Sequence, residues 1–253
     1  MSTSRRRFRL PQVGLPGRQR SSRIEPPSEL APLPQDNLTL EMFRQAFVGL
    51  DLPAYGRPVI GITSAIGGEG RTTMAIGLAR TLAYDLDGPV MLVDADLENP
   101  GQAARFEIPA TPGLAEVLRG EMTLADVAVP VGDNLLVVPA GRTEFDAARL
   151  LRQMPLIDPF HDSTLTGGAV IVDLPPIVSQ SYSVLAAHAT DVLMLVVRAG
   201  VTPDDVVREA IARLEDRAPR GVILNAVRTR LPRRWRAAAA TRRRRLRLRS
   251  SAA

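Results

Sequence analysis

The stretch ITSAIGGEGRTTMA, residues 62–75, is typical of a strand, a glycine-rich loop and a helix in succession. The loop carries three glycines: Gly67, Gly68 and Gly70. Such a loop can point backbone N–H groups at an anion, and a helix beginning near Thr72 adds the positive end of its dipole. The strict motif G-x-x-x-x-G-K-[ST] fails at Ala65 and at Arg71, so the stretch fits either a phosphate-binding loop or an ordinary glycine-rich turn.

The composition excludes several kinds of site. The chain has 253 residues, no cysteine and two histidines, so neither a disulfide scaffold nor a metal site built from cysteine or histidine is expected. No apolar run approaches the roughly 20 residues that span a bilayer. The basic N-terminus lacks the apolar core of a secretory signal, and we therefore expect a cytoplasmic protein.

The charge is unevenly distributed. All 32 basic residues are arginines; residues 1–23 hold seven of them and residues 217–253 hold thirteen, with no acidic residue in either segment. The body between them carries all 27 acidic residues against twelve arginines. An acidic body with two basic ends is predicted. The complete absence of lysine also means that Arg71 can reflect a chain-wide preference for arginine.

Three segments are predicted along the chain. Residues 1–37 are rich in arginine and proline and are expected to be disordered. Residues 38–228 form the folded domain, and residues 229–253 form an arginine-rich tail. The folded domain begins with apolar residues at helical spacing over residues 38–50.

Strands and helices then alternate through the domain. The strands are nearly continuous runs of valine, isoleucine and leucine, which a parallel sheet buried on both faces requires. The predicted fold class is therefore α/β, with a doubly wound, mostly parallel sheet and helices on both faces. In the last helix, Thr202 is expected as the N-cap and Pro203 as the first helical residue.

Acidic side chains end two of the predicted strands. Asp94 and Asp96 close VMLVDAD, and Asp173 closes AVIVD. Ligands bind at the carboxyl ends of parallel strands. One carboxylate could hold magnesium, together with the hydroxyl of Thr72, while another acts on a water or hydroxyl group. The alternative is that these acids only cap the turns that follow.

Five stretches, in this order, resemble the bacterial tyrosine kinases of capsule and exopolysaccharide biosynthesis: TSAIGGEGRTT, VMLVDADLENP, AVIVDLPP, VLMLVVRAG and GVILNAV. This family belongs to the P-loop NTPase superfamily, together with the ParA and MinD partition ATPases. The resemblance covers residues 38–227. Ile66 stands where the partition ATPases carry their second, signature lysine, which favours the kinase branch.

The resemblance implies ATP and Mg²⁺ as cofactors. The residues that would bind ATP are Gly67, Gly68, Glu69, Gly70, Arg71, Thr72 and Thr73, with Asn225 facing the adenine. The residues that would arrange magnesium are Thr72, Asp94 and Asp173. Asp94 or Asp96 would activate the acceptor tyrosine. The implied catalytic set is Arg71, Asp94, Asp96 and Asp173.

The resemblance also implies partners. EMFRQAF is similar to a helix motif that packs neighbouring subunits into rings, with Glu41 and Arg44 matching and Phe47 where a second arginine is expected. A polysaccharide co-polymerase of the inner membrane is the implied partner, which would place the chain at the inner face of that membrane. The arginine-rich ends fit an anionic membrane, nucleic acid or a solvated tail.

Two departures from the family pattern bear on activity. Arginine is longer and forked where the loop lysine is compact, so Arg71 either preserves nucleotide binding with weakened transfer or swings out of the loop. The tyrosines are Tyr55, Tyr84 and Tyr182, and none follows the last strand, so no autophosphorylation of a tail tyrosine is expected. Tyr182 is interpreted as a core residue in preference to an acceptor.

The function predicted from these observations is an ATP-binding, kinase-like component of exopolysaccharide or capsule biosynthesis and export, weakened or regulatory in character. One alternative is a ParA/MinD-like ATPase that positions cargo on membrane or DNA. The other is a non-enzymatic pseudokinase subunit.

Overall fold

The computed structural model describes residues 41, 43–45, 57–143, 146–161 and 168–227. The segment predicted to be disordered, the arginine-rich tail and Tyr55 lie outside these residues. So do Met42 and residues 46–50 of the first predicted helix, whereas Glu41 and residues 43–45 are helical.

The strands in chain order are β1 (Val59–Ser64), β2 (Val90–Asp94), β3 (Val129–Pro130), β4 (Leu135–Val138), β5 (Ala169–Asp173), β6 (Val192–Arg198) and β7 (Gly221–Asn225). The helices between them are α1 (Arg71–Asp85), α2 (Gln102–Phe106), α3 (Leu114–Leu118), α4 (Leu124–Val127), α5 (Ala147–Ile157), α6 (Ser183–Ala187) and α7 (Asp204–Arg213). A short 3₁₀ turn, Glu215–Arg217, follows α7.

The strands form one sheet in the order β3-β4-β2-β5-β1-β6-β7. Every pair is parallel except β3 with β4. The order reverses direction on either side of β1, which is the doubly wound arrangement predicted from the alternation of strands and helices. The predicted fold class is confirmed.

The sheet separates two apolar cores. Side chains alternate between the faces of a strand, so Ile60 and Ile62 join one core while Val59 joins the other. The first core packs under α1, and the second packs under α3, α5 and α6. Burial on both faces explains why the strands read as continuous apolar runs.

The helical residues near position 43 dock on α1. Phe43 packs so closely on Gly77 that a Cβ atom there would lie 2.1 Å from the Phe43 Cζ atom. Arg44 donates from Nε to Asp85 Oδ2 at 2.7 Å and lies over the Tyr84 ring, 5.9 Å from its centroid. Arg44 is therefore engaged within its own chain, and its expected contact with a neighbouring subunit stays a prediction.

Three local features differ from the sequence-based expectation. The short elements α2 and β3 were not predicted, because five and two residues are too few to show a periodic pattern. The N-cap of α7 is Pro203 and its first residue is Asp204, so the expectation that Thr202 caps this helix is wrong. The Thr202 hydroxyl donates to the buried Glu69 carboxylate, which is a stronger acceptor than a backbone partner.

In the part of the chain that the structure describes, no helix combines the length and the apolar character needed to cross a membrane.

Candidate functional site

The glycine-rich loop joins the end of β1 to the start of α1, at the carboxyl edge of the sheet. Gly68 (φ +80°) and Gly70 (φ +92°) adopt the left-handed region that favours glycine. A Cβ atom added at Gly67 or Gly68 would meet no atom of the described residues within 4 Å, so these residues leave the outer face of the loop open. Helix α1 begins at Arg71 without a side-chain cap, which leaves its first N–H groups for an external acceptor.

Glu69 braces the loop from inside. Its side chain is buried, and its carboxylate accepts from the Ile66 N–H at 2.9 Å, the Arg198 N–H at 3.1 Å and the Thr202 hydroxyl. Three donors from two segments satisfy one buried charge, as a buried carboxylate requires. The side chain predicted to contact ATP therefore closes the loop on itself through Ile66 and fixes the loop to the end of β6 through Arg198.

Asn225 also contacts the loop. It ends β7 and donates from Nδ2 to the Glu69 carbonyl oxygen at 2.8 Å. The approach is so close that a Cβ atom at position 70 would lie 2.1 Å from that nitrogen, which explains why Gly70 is a glycine. The structure thus places Asn225 beside the loop, and its predicted contact with adenine stays a prediction.

Three aspartates meet the loop at the same edge of the sheet. Asp94 and Asp173 end the adjacent strands β2 and β5 and are partners in the ladder between them. Asp96 follows two residues after Asp94. All three are buried, with at most 4% of their surface exposed. The sheet topology therefore brings together the strand-end acids that the sequence singled out.

Arg71 points inward and joins these acids. Its Nε donates to Asp173 Oδ1 at 2.9 Å, and its Nη2 donates to Asp96 Oδ2. Only 10% of the side chain is exposed. The alternative that Arg71 swings out of the loop is wrong, because two buried carboxylates offer charge-assisted hydrogen bonds that solvent cannot match in this environment.

Burial shifts the pKa values of Asp94 and Asp96. Burial, reinforced by the nearby charge of Asp173, raises the pKa of Asp94 from 3.8 to about 7. Two backbone donors oppose this shift, since the N–H groups of Gly101 and Gln102 each lie 3.0 Å from Asp94 Oδ2. Burial also raises the pKa of Asp96, although the Arg71 charge opposes the change. A pKa of about 7 suits a group that exchanges a proton near neutral pH, so Asp94 is the candidate for that role.

Sequence reasoning missed Gln102. This buried side chain donates from Nε2 towards Asp173 Oδ2 at 3.4 Å and towards the Val93 carbonyl at the same distance. Its own Oε1 and the Oδ1 of Asp94 are buried and have no hydrogen-bond partner among the residues that the structure describes. The only local signal was the turn sequence that precedes it, NPG, which marks the end of a loop and not the role of the next side chain.

Tyr182 lies beside the same edge. It is half-buried and packs against the apolar core on one face of the sheet, as the sequence interpretation held. Burial, together with the nearby Glu98 carboxylate, raises its pKa well above the ordinary value. A neutral phenol is therefore held there across the physiological range.

The site fits a nucleotide phosphate better than a metal ion. The open loop with its glycines and the uncapped start of α1 suits an anion. A divalent cation needs several free oxygen ligands. Among the described residues, no group of three or more acidic or imidazole side chains is arranged to hold a metal ion, and Arg71 already engages Asp96 and Asp173. Of the predicted Mg²⁺ ligands, Asp173 is paired with Arg71 and Asp94 Oδ2 accepts two backbone N–H groups, so these two acids do not fit the ion in this arrangement, and the role of Thr72 stays a prediction.

No family model matches the chain. Among curated proteins, it is 28% identical to the tyrosine-protein kinase CpsD of Streptococcus agalactiae, over 77% of this chain and 85% of that protein. Its homologues are bacterial tyrosine kinases. The chain is also 29% identical to ExoP of Rhizobium meliloti, a succinoglycan biosynthesis transport protein, over 73% of this chain and 24% of that protein.

Solved structures agree with the kinase likeness. The kinase domain of VpsO is 28% identical, covers 76% of this chain and 97% of that domain, and superposes with a TM-score of 0.64. MinD of Pyrococcus horikoshii, complexed with Mg-ADP, is 20% identical over 70% of this chain and 75% of that protein, with a TM-score of 0.57. The MinD comparison shows the shared P-loop fold alone.

Proposed function

We propose that this chain is an ATP-binding, kinase-like component of capsule or exopolysaccharide biosynthesis in which phosphoryl transfer is weakened. The observation that carries the proposal is the open glycine loop facing three buried aspartates at one edge of the sheet. The similarity to CpsD and VpsO over three quarters of the chain supports the same reading.

In this proposal, the phosphates of ATP bind the backbone N–H groups between Gly67 and Thr73, where an added Cβ would meet open space at the first two positions. Asn225, which already contacts the loop, is the proposed adenine neighbour. Asp94 is the proposed base towards an acceptor hydroxyl, because a pKa of about 7 matches proton transfer near neutral pH.

Arg71 is the reason to expect weak transfer. A lysine at this position is a mobile point charge that follows the terminal phosphates. The Arg71 guanidinium is instead held between Asp96 and Asp173. Binding phosphate with this side chain requires breaking two ion pairs first, which lowers both the affinity and the rate of transfer. Mg²⁺ is predicted to bind with ATP at Thr72, Asp94 and Asp173, and there it must compete with Arg71 for the Asp173 carboxylate.

The proposed location and partner of the chain are based on its similarity to bacterial tyrosine kinases. We place the chain in the cytoplasm, at the inner face of the membrane, beside a polysaccharide co-polymerase. Self-association through the helix of Glu41 and Arg44 belongs to the same proposal, and so does contact of the arginine-rich ends with an anionic membrane in preference to nucleic acid.

A non-enzymatic role is the second candidate. It is favoured by the same two ion pairs of Arg71, which keep the two acids occupied. Positioning of cargo in the manner of MinD is less favoured, because Ile66 stands at the signature lysine and the MinD likeness concerns the fold alone.

Calorimetric titration of the purified chain with ATP and ADP tests the proposal. The matched variants are Arg71→Lys and Asp94→Ala in the site, with Arg149→Met as a control because that arginine pairs with Asp146 on the surface, 63% exposed. We expect wild type and control to bind equally, and Arg71→Lys to raise release of the γ-phosphate by about tenfold or more.

Two outcomes separate the candidates. If wild type and all variants fail to bind nucleotide at millimolar concentration, the ATP-binding proposal is wrong. If wild type binds but Arg71→Lys gains no turnover, the non-enzymatic subunit is the better description.

A further inference from the structure

Among the described residues, the three aspartates at the carboxyl edge of the sheet outnumber the arginine that pairs with them. Asp94, Asp96 and Asp173 are at most 4% exposed, and Asp94 and Asp173 are adjacent in the β2–β5 ladder. Buried carboxylates require a cation or a proton. In the described part of the chain, the ion pairs to this cluster both come from Arg71.

The geometry of Arg71 is that of a bridge. Its Nε binds Asp173 and its Nη2 binds Asp96, so two nitrogens of one planar group serve two different carboxylates. A lysine has a single nitrogen at the end of a flexible chain and does not offer this fork. With 10% of the side chain exposed, the bridge is shielded from competing water and salt.

The remaining oxygens of the cluster leave little for a metal ion. Asp94 Oδ2 accepts two backbone N–H groups, and Asp173 Oδ2 faces the Gln102 amide. Within the described part of the chain, Asp94 Oδ1 is a buried carboxylate oxygen of this cluster that has no hydrogen-bond partner. One free oxygen beside a fixed guanidinium is a poor site for Mg²⁺, which dehydrates reluctantly and requires near-octahedral oxygen ligation.

We propose that Arg71 is a built-in counter-cation, which occupies the place of a divalent ion at Asp96 and Asp173 and excludes Mg²⁺ from the resting site. The proposal deepens the proposed nucleotide site, because it states that the metal cannot bind there before the arginine leaves. It concerns the chain without nucleotide, so it stands or falls separately from ATP binding.

The test measures metal binding to the full chain in the absence of nucleotide. Mn²⁺ serves as the probe, since it shares the carboxylate preference of Mg²⁺ and its free concentration is measured directly by electron paramagnetic resonance. We compare wild type, Arg71→Met and the surface control Arg149→Met. The melting temperature is recorded for each protein with and without millimolar Mg²⁺.

We expect wild type and Arg149→Met to bind no stoichiometric Mn²⁺ and to melt at the same temperature with or without Mg²⁺. Arg71→Met is expected to melt lower, to bind one Mn²⁺ at least about tenfold more tightly than wild type, and to regain melting temperature with Mg²⁺. Adding Asp94→Asn to Arg71→Met is expected to abolish that binding, because it removes the free carboxylate oxygen.

The proposal is overturned if wild type itself binds one Mn²⁺ with submillimolar affinity, a result that needs no variant. It is also overturned if Arg71→Met folds and binds no Mn²⁺. Should Arg71→Met fail to fold, Arg71→Lys replaces it. The single ammonium group of this lysine cannot bridge both carboxylates, so Arg71→Lys should also bind Mn²⁺ more tightly than wild type. The proposal is contradicted if Arg71→Lys binds Mn²⁺ no more tightly than wild type does. Titration of wild type with ATP, run separately, decides the proposed function.

Discussion

The two ends of the parallel sheet each carry a charged cluster, and the clusters differ in how completely they are satisfied. At the amino edge, His161 lies between two carboxylates. Its Nδ1 is 2.6 Å from Asp158 Oδ1, and its Nε2 is 3.2 Å from Asp191 Oδ1. Asp191 also accepts the Val59 N–H at 2.8 Å, and the cluster is partly exposed. At the carboxyl edge, as far as the described residues show, one guanidinium pairs with two of three deeply buried aspartates, and an oxygen of the third, Asp94, has no hydrogen-bond partner.

This difference indicates that the amino-edge cluster stabilises the fold and that the carboxyl-edge cluster belongs to the candidate site. A half-exposed imidazole between two acids forms a hydrogen bond with each of its nitrogens, so both polar atoms of the ring are satisfied. Buried acids that outnumber their cation are costly to the fold, and burial raises the pKa values of Asp94 and Asp96. Excess buried charge of this kind is found where a ligand, a proton or another cation completes the arrangement.

The largest effect is expected from removing the brace of the loop. Glu69→Ala leaves three donors without their acceptor, two of them backbone N–H groups, and should lower the free energy of unfolding by about 3–5 kcal/mol. Chemical denaturation measures this loss. Glu69→Gln keeps an acceptor oxygen and should lose clearly less. Equal losses in the two variants would mean that packing, and not the hydrogen bonds, holds the loop.

The second-largest effect on stability is expected from removing the unpaired buried carboxylate at the carboxyl edge. Because the pKa of Asp94 is raised from 3.8 to about 7, the folded protein keeps a proton that the unfolded chain releases between these values. Stability should therefore fall as the pH rises from about 4 to about 7.

Asp94→Asn removes that titrating group. It should stabilise the protein at pH 8 by about 2–4 kcal/mol and flatten the pH dependence below pH 7. Denaturation midpoints measured from pH 4 to pH 8 check both effects. An unchanged slope in the variant would place the titration elsewhere, with Asp96 as the first candidate because its pKa is raised in the same direction.

The smallest effect is expected at the amino edge. The hydrogen bond with Asp158 and the charges of both acids raise the pKa of His161 above 6.5, although burial opposes the shift. Its stabilisation is complete below pH 6.5 and is lost as the pH rises through the raised value. His161→Gln should remove this loss, which partial exposure limits to less than about 1 kcal/mol.

A thermal melt of His161→Gln at pH 6 and pH 9 measures the small effect directly. Wild type should lose melting temperature between the two values by more than the variant does. A variant with the same loss would show that His161 is not the group that titrates there.

Some features of the site were readable from the sequence because they are local. The glycines of the loop fix a backbone shape within ten residues, and Asp94 and Asp173 mark strand ends by position alone. Gln102 and the Thr202 hydroxyl were not readable, since their partners Asp173 and Glu69 lie 71 and 133 residues away in the chain. A side chain whose role depends on a distant partner leaves no periodic signal.

The amino-acid sequence by itself determined the order of strands and helices, the doubly wound sheet and the edge at which a ligand would bind, because apolar periodicity and glycine positions act locally and dictate which faces are buried. Only the tertiary structure decided what Arg71 does. Its direction depends on the sheet order that places β5 between β2 and β1, so that Asp173 and Asp96 both come within reach of one guanidinium. The electrostatic cost of leaving those buried carboxylates unpaired then holds the side chain inward.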